Sequence, residues 1–364
     1  MSRFDQRRLE RVQELLTEDV EAGRLMGAAV QVSHEGQPEA PIVAGRRRLD
    51  AALSVEPDTI FLVASITKPI VAAAVVKLLE EGHLLLDDPV TRFVPEFGVN
   101  GKEDVVIRHL LTHTSGLPDQ IPENRDYREN KRPLSDFITR ICELPISFVP
   151  GTHISYQSCG IAMLGEICER VTEVDLATYL KTTIFDPLGL KDTALKLTDR
   201  STRESDVKIA GEGLTHGGSG TDFDWNSDYW RGFGAPWGGM LTTVEEMTRL
   251  LLLFRNGGAI DNQRILSARS AAMMVEDHTS TLPDLADTNR RGQRWGLGWR
   301  LNGRQAGMFG DLASLESFGH GGATGTLAWV DPAEDVTCVI FTNDPDAAGS
   351  LHGRISNLVL SALP

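Results

Sequence analysis

The chain reads as an α+β protein: an antiparallel sheet flanked by helices, built from both termini, with a largely helical insertion between them. Three observations carry this. Strand-type patterns lie at the two ends of the 364 residues, helical periodicity fills the middle, and a serine and a lysine three residues apart open an apolar helix near the first junction. The expected division is an α/β domain from 1–86 with 281–364, and a mainly helical domain over 87–280 with the site in the cleft between them.

Taken in order, MSRFDQRRLERVQELL is a charged amphipathic helix. GAAVQVS and PIVAG then bracket a turn as strands. From Ile70 the sequence VAAAVVKLLEEG is helical, with Gly82 as stop signal. The middle carries helix starts at Ser135-Asp-Phe-Ile and at Thr243-Val-Glu-Glu246, the latter a capping box. Strands return around 295–299, 327–330 and 336–341, before a closing helix near 355–360. No internal repeat or low-complexity linker interrupts this order.

The segment Phe61-Leu-Val-Ala-Ser65-Ile-Thr-Lys68-Pro69 has the layout of a self-activating nucleophile. Residues three apart on a helix share a face. Pro69 lacks an N–H and belongs in the first helical turn, so Ser65 falls at the N-terminus, where free N–H groups and the dipole favour developing negative charge. A desolvated Lys68 can lose its proton and act as base. The plain alternative is a helix start with Ser65 as cap and Lys68 in solvent.

Two further segments favour the chemical reading. Pro150-Gly-Thr-His-Ile-Ser-Tyr156-Gln157-Ser158 is a turn-rich lead-in to the apolar helix IAMLGEICERV. A tyrosine there carries a phenolate if a cation such as Lys68 lowers its pKa. Phe318-Gly-His320-Gly321-Gly322-Ala323 precedes the strand patterns TLAWV and VTCVIFTN, and its glycines allow close approach of a substrate while the Ala323 N–H stays free to donate.

In the order Ser-x-x-Lys, Tyr-x-Ser, His-Gly-Gly, the chain resembles the serine β-lactamase and penicillin-binding superfamily, most closely its class C β-lactamase-like and family VIII carboxylesterase branch. Nearly the whole chain takes part, including His109-Leu-Leu-Thr-His-Thr-Ser-Gly-Leu117, Trp237-Gly-Gly-Met240 and Trp295-Gly-Leu-Gly-Trp299. The resemblance implies a β-lactamase/transpeptidase-like fold, Ser65 as acylated nucleophile, and Lys68 and Tyr156 as the proton-transfer pair. It also implies an oxyanion hole from the N–H groups of Ser65 and Ala323. Ser158, His320, Gly321, Gly322 and Trp237 are the expected substrate-binding residues.

Two positions depart from the lactam-hydrolysing pattern. Ser158 stands where those members usually carry Asn, and His320 where they carry a lysine that attracts the lactam carboxylate. A mostly neutral histidine offers less attraction.

Composition points to a soluble cytoplasmic enzyme. With 41% hydrophobic residues the chain can bury a large core, and a net charge of −15 disfavours nucleic acid and anionic membranes as partners. No segment has the length to span a bilayer and no signal peptide is recognisable. Cys142, Cys159, Cys168 and Cys338 have no metal-like spacing and read as buried free thiols.

Other motifs weigh less. His109 and His113 are four apart as in a zinc helix, but Leu110 replaces the glutamate of HExxH. The glycines of 319–325 precede a strand rather than a helix, which argues against a phosphate loop, and no Gly-x-Ser-x-Gly elbow occurs. Phe223, Trp225, Tyr229, Trp230, Phe233 and Trp237 lie in a stretch read as too irregular for a helix; they are either pocket walls or core beneath a loop.

The expectation is a serine hydrolase with no cofactor and no metal, acting on a small-molecule ester or amide. A carboxylesterase for short acyl esters is preferred. A β-lactamase, D-aminopeptidase, amide hydrolase or acyltransferase of the same fold is the alternative, and a non-catalytic ligand-binding relative the reading from another class.

Overall fold

Helix α1 (Gln6–Glu21) starts where the Asp5 carboxylate accepts the N–H groups of Arg7 and Arg8, and it buries Leu9, Val12, Leu15 and Leu16 along one face. Strands β1 (Gly27–His34), β2 (Gln37–Pro38) and β3 (Ile42–Gly45) follow. The structure is a computed structural model and describes residues 4–199, 201–209, 224–282, 285, 293–303 and 308–364.

A short strand, β4 (Phe61–Leu62), leads through a 3-10 turn, Ala64–Ile66, into α2 (Thr67–Glu80). Pro69 occupies the first turn of α2, and Gly82 at φ 79° ends the helix. Most α2 side chains are buried all round, which places this helix in the middle of the molecule.

The middle of the chain supplies α3 (Ile107–Leu111), α4 (Asn124–Glu129), α5 (Leu134–Glu143), α6 (Cys159–Thr172), α7 (Leu176–Leu180) and α8 (Asp228–Phe233). After them come β5 (Leu241–Thr242), α9 (Val244–Arg255), the hairpin β6 (Ala259–Ile260) and β7 (Gln263–Arg264), and α10 (Ala268–Val275). The chain closes with β8 (Arg294–Trp295), β9 (Arg300–Leu301), β10 (Phe318–Gly322), β11 (Thr326–Asp331), β12 (Val336–Thr342) and a C-terminal helix, Ala348–Ser361.

The main sheet is antiparallel throughout, in the order β2-β1-β12-β11-β10-β9-β8 with β3 also on β1. Its strands come from both ends of the chain, as expected. Alternate residues serve two cores. Val30, Leu327, Trp329 and Ile340 share one cluster with residues of α1 and the C-terminal helix, while Ala29, Ala328, Val339 and Phe341 share the other with α2 and α9. All four cysteines are buried free thiols. Among the described residues no helix is long and apolar enough to cross a membrane.

Local expectations fail in four places, each for a physical reason. Only Trp295 of 295–299 is in a strand; the rest is a turn in which Gly298, at φ 80°, packs so tightly on α2 that a Cβ would lie 2.6 Å from that of Ala72. Helix α5 begins at Leu134 after Pro133, one residue before Ser135. Thr243 caps α9 by accepting the Glu246 N–H at 3.2 Å, but the Glu246 carboxylate accepts instead from the N–H groups of Lys191 and Asp192, so half of the capping box forms. The stretch around Tyr229 is not irregular: Ser227 caps α8 through the Trp230 N–H. Phe223 lies outside the described residues.

Candidate active site

The segment around Ser65 is shaped by one strained residue. Ala64 has φ 46°, in the left-handed region that costs a non-glycine residue about 1 kcal/mol or more. Surrounding bonds hold it there. Thr67 Oγ1 donates to Ala64 O at 2.6 Å, Val63 N to Met240 O at 2.9 Å, and Met240 N to Thr67 Oγ1 at 3.0 Å. The β10–β11 turn adds two hooks, Thr324 Oγ1 to Leu62 O at 2.6 Å and Thr326 Oγ1 to Val63 O at 3.0 Å. Gly322 permits this approach, since a Cβ there would lie 2.2 Å from Val63 O.

Ser65 therefore stands at the start of α2 facing the end of β10, and Lys68 lies one turn on, fully buried. The Lys68 ammonium reaches Ser65 Oγ at 2.9 Å and Trp237 O at 3.0 Å, and lies 4.7 Å from the centroid of the Tyr156 ring. Burial pulls its pKa from 10.5 to about 7, partly opposed by the nearby Asp119 carboxylate. A sizeable neutral fraction is thus present near pH 7, aimed at the serine oxygen.

Tyr156 is hydrogen-bonded to Ser65, but burial drives its pKa up, not down. The phenolate expectation is corrected. Lys68 brings little charge because it is itself desolvated, and the hydroxyl stays protonated.

Behind Tyr156 the HLLTHTSGL segment forms a cradle. His113 Nδ1 accepts the Gln157 N–H at 3.2 Å, and His113 O accepts the Ser155 N–H at 2.9 Å. Ser115 Oγ donates to Gln157 Oε1. The His113 ring lies 4.7 Å from Tyr156 and 4.3 Å from Trp295. His113 is left-handed at φ 61° and lies beyond α3, so it does not share a helix with His109. His109 Nδ1 accepts the Val106 N–H at 3.2 Å, and burial holds both imidazoles neutral. No group of three or more metal-binding side chains comes together among the described residues.

The remaining expected residues gather around this centre in different ways. Ala323 is exposed, and its N–H has no partner among the described residues. Ser158 Oγ donates to Asp119 Oδ1 at 2.7 Å, so its hydroxyl is already engaged. His320 is only 4% exposed; its Nδ1 lies 2.7 Å from Gly321 O and burial drops its pKa to about 3. It is neutral and faces the half-buried ring of Tyr156 and the buried ring of Trp295. Gly321 and Gly322 complete the strand that presents Ala323.

A cavity of about 110 Å³ opens beside Ser65, Tyr156 and Ala323. Trp225, Trp230 and Trp237 wall it, whereas Tyr229 and Phe233 do not line it: Phe233 packs behind Trp230 and Trp237 and against Phe137, and Tyr229 packs on Phe233. Two charged lining residues, Asp119 and Arg128, were missed by sequence reasoning. Asp119 lies two residues past Leu117, where the motif read from the sequence stops.

Fold and site together define a β-lactamase-type protein. A sequence model of the family described as Beta-lactamase matches residues 12–361, and the chain belongs to that family. Esterase EstB of Burkholderia gladioli is 38% identical over 184 residues, which cover 46% of this chain and 47% of that protein. The chain thus spans about half the length of that relative. A putative D-alanyl-D-alanine carboxypeptidase of Salmonella paratyphi B is 28% identical over 308 residues, covering 78% of this chain and 67% of the relative. Among solved structures, EstCE1, a hydrolase with promiscuous acyltransferase activity, superposes with a TM-score of 0.79 at 22% identity, covering 98% of this chain and 99% of that one. A family VIII carboxylesterase gives a TM-score of 0.79 at 21% identity, covering 98% of each chain. At that identity these two establish a shared fold.

Proposed function

We propose that the protein is a serine hydrolase that forms an acyl-enzyme on Ser65, and that short acyl esters are its preferred substrates. The observation that carries this is the buried Lys68 at 2.9 Å from Ser65 Oγ with its pKa brought down to about 7. A lysine in that state can accept the serine proton.

As Ser65 Oγ bonds to the substrate carbonyl carbon, its proton passes to neutral Lys68. The negative charge that develops on the carbonyl oxygen meets the N–H groups of Ser65 and Ala323. Tyr156, kept protonated, hands its proton to the leaving group as the ester bond breaks, and recovers one from Lys68. Water then enters in place of the leaving group, and the same groups work in reverse to release the acid. The small tryptophan-walled cavity suits a short acyl group. A neutral, buried His320 and a Ser158 hydroxyl already given to Asp119 add little for a lactam.

The esterase- and carboxypeptidase-named relatives support the class of chemistry. The carboxypeptidase name favours an amide hydrolase as second reading. Cytoplasmic location and the two-part division at 86 and 281 are proposed with it; the sheet, drawing its strands from Gly27–His34, Ile42–Gly45 and the segments after 293, supports the division.

The test is fluorophosphonate labelling with a hydrolysis panel of p-nitrophenyl esters, D-amino amides and a chromogenic cephalosporin. Labelling that Ser65→Ala abolishes, with short esters turned over fastest, is expected. Undiminished labelling of folded Ser65→Ala refutes the nucleophile, and a cephalosporin with the highest kcat/KM replaces the esterase by a lactamase.

A further inference from the structure

Tyr156 has to reach Ser65 and Lys68, yet no helix or strand carries it. Residues 153–157 are neither helical nor in a strand, and α6 starts only at Cys159. The stretch is held instead against the segment that follows α3. Ser147 N donates to Gly116 O at 2.8 Å, Gly151 N to Thr114 O at 2.8 Å, and Ser158 N to Asp119 O at 3.0 Å. Within that row one residue grips both neighbours of the tyrosine. Ser155 N donates to His113 O and Gln157 N to His113 Nδ1, while the His113 ring packs on the Tyr156 ring itself.

Helix α3 does not by itself call for a histidine there. Its end closes with the Thr114 N–H on His109 O at 2.9 Å, so His113 takes the left-handed position past the helix, at φ 61°, where glycine or asparagine is usual. The side chain is fully buried, and among the described residues its Nε2 has no hydrogen-bond partner. Because Nδ1 accepts from Gln157, the ring proton sits on Nε2 and is a buried donor left unmatched. Both features disfavour histidine locally. What the residue supplies is an acceptor at a fixed place beside the tyrosine, and breaches of local rules of this kind gather where a fold serves chemistry.

We propose that His113 is a positioning residue for Tyr156: through its Nδ1 and its carbonyl oxygen it sets the direction in which the tyrosine hydroxyl meets the leaving group. The proposal rests on Tyr156 being the proton donor to that group. No proton passes through His113, whose Nδ1 lone pair is taken by the Gln157 N–H. A reacting group displaced by about 1 Å can cost about 10²-fold in rate. How much of that cost is felt depends on the alcohol, since an alkoxide has to be protonated as it departs whereas p-nitrophenolate departs as the anion.

Ethyl acetate and p-nitrophenyl acetate give the same acyl-enzyme and differ in that demand, so the readout is the ratio of their kcat/KM values, ethyl over p-nitrophenyl. His113→Ala removes ring and acceptor and is expected to lower the ratio about tenfold or more. His113→Asn, whose Oδ1 can take the Gln157 N–H and which suits a left-handed backbone, is expected to bring the ratio back to within about threefold of the wild type. In a Tyr156→Phe background His113→Ala should lower the ratio no further. Equal losses on the two esters, a His113→Asn as low as His113→Ala, or an additive loss in the double variant overturns the proposal. A ratio that falls in Tyr156→Phe but not in His113→Ala overturns this proposal alone, whereas a ratio unchanged in Tyr156→Phe removes the tyrosine from the proton path and His113 with it.

Fluorine NMR of the protein grown with 3-fluorotyrosine reads the position without turnover, the Tyr156 resonance being identified by its loss in Tyr156→Phe. One sharp resonance in wild type and His113→Asn, broadened or split in His113→Ala, supports the proposal, and the same single resonance in all three overturns it. A resonance that answers to His113 in this way, in a protein that cleaves neither ester, sinks the esterase reading while keeping the positioning role. His113→Phe, which keeps a ring but loses the acceptor, is expected to follow His113→Ala and stands in if that variant does not fold.

Discussion

Replacing Lys68 by methionine should abolish turnover and make the protein more stable near neutral pH. Lys68 ionises at about 10.5 when solvated and at about 7 in the folded chain, where it is fully buried. Below pH 10.5 the unfolded chain holds a proton that the folded chain resists. Across the interval from 10.5 to about 7, at about 1.4 kcal/mol per pH unit, the penalty reaches about 5 kcal/mol in acid and about 4 kcal/mol at pH 7. Methionine fills similar space without a charge. Against the gain stand the hydrogen bonds to Ser65 Oγ and Trp237 O, at about 1 kcal/mol each. The net expectation is about 2 kcal/mol of added stability at pH 7.

The sign has a pH signature. Between pH 7 and 10.5 the unfolded wild type binds more protons than the folded one, so wild-type stability climbs with pH relative to the variant. The advantage of Lys68→Met should shrink steadily and reverse near about pH 9, above which the lost hydrogen bonds dominate. Urea denaturation of both proteins from pH 6 to 10 measures the difference, and groups titrating alike in both cancel. A variant less stable at pH 7, or a difference that does not vary with pH, would show that Lys68 is not held against its charge.

The same ionisation should appear in catalysis: kcat/KM for a neutral ester is expected to rise through an apparent pKa near 7, and a flat profile from pH 5 to 8 counts against Lys68 as base. Tyr156→Phe keeps the ring packed on His113 and removes the hydroxyl, so kcat should drop about 10²-fold with the fold intact by circular dichroism. Near-wild-type turnover there would take Tyr156 out of the proton path. Gly322→Ala puts a methyl 2.2 Å from Val63 O and must push β10 away from the nucleophile segment. It should lose both activity and melting temperature; an unaffected variant would mean that the contact between β10 and residue 63 is looser than described.

Much of the centre was legible in the sequence because it depends on local chain geometry. Proline in the first turn fixes where α2 starts, and three-residue spacing then aligns Ser65 with Lys68. The long strands β1, β11 and β12 announce themselves as apolar runs. What stayed hidden depends on distant partners. The carbonyl that holds Lys68 belongs to Trp237, 169 residues away, and Asp119 reaches Ser158 across 39. Two-residue strands such as β4 and β5 carry no periodicity to detect. Nor does an alanine advertise a left-handed backbone, a conformation that Ala64 adopts only because its neighbours impose it. Tyr156 does lie beside Ser65 and Lys68, but its ionisation follows burial rather than the neighbouring amine.

The two threonine hooks, from Thr324 to Leu62 and from Thr326 to Val63, have a bearing on how such a protein can change over generations. In the proposed mechanism they tie the attacking oxygen and its anion-stabilising strand into one block through hydrogen bonds of the chain itself. The walls are separate: the tryptophans come from 225–237, and Asp119 and Arg128 from the helical middle of the chain. Substitutions in those walls can exchange one clientele for another while the reactive block is inherited unchanged. Selection can thus explore new substrates without first losing the chemistry.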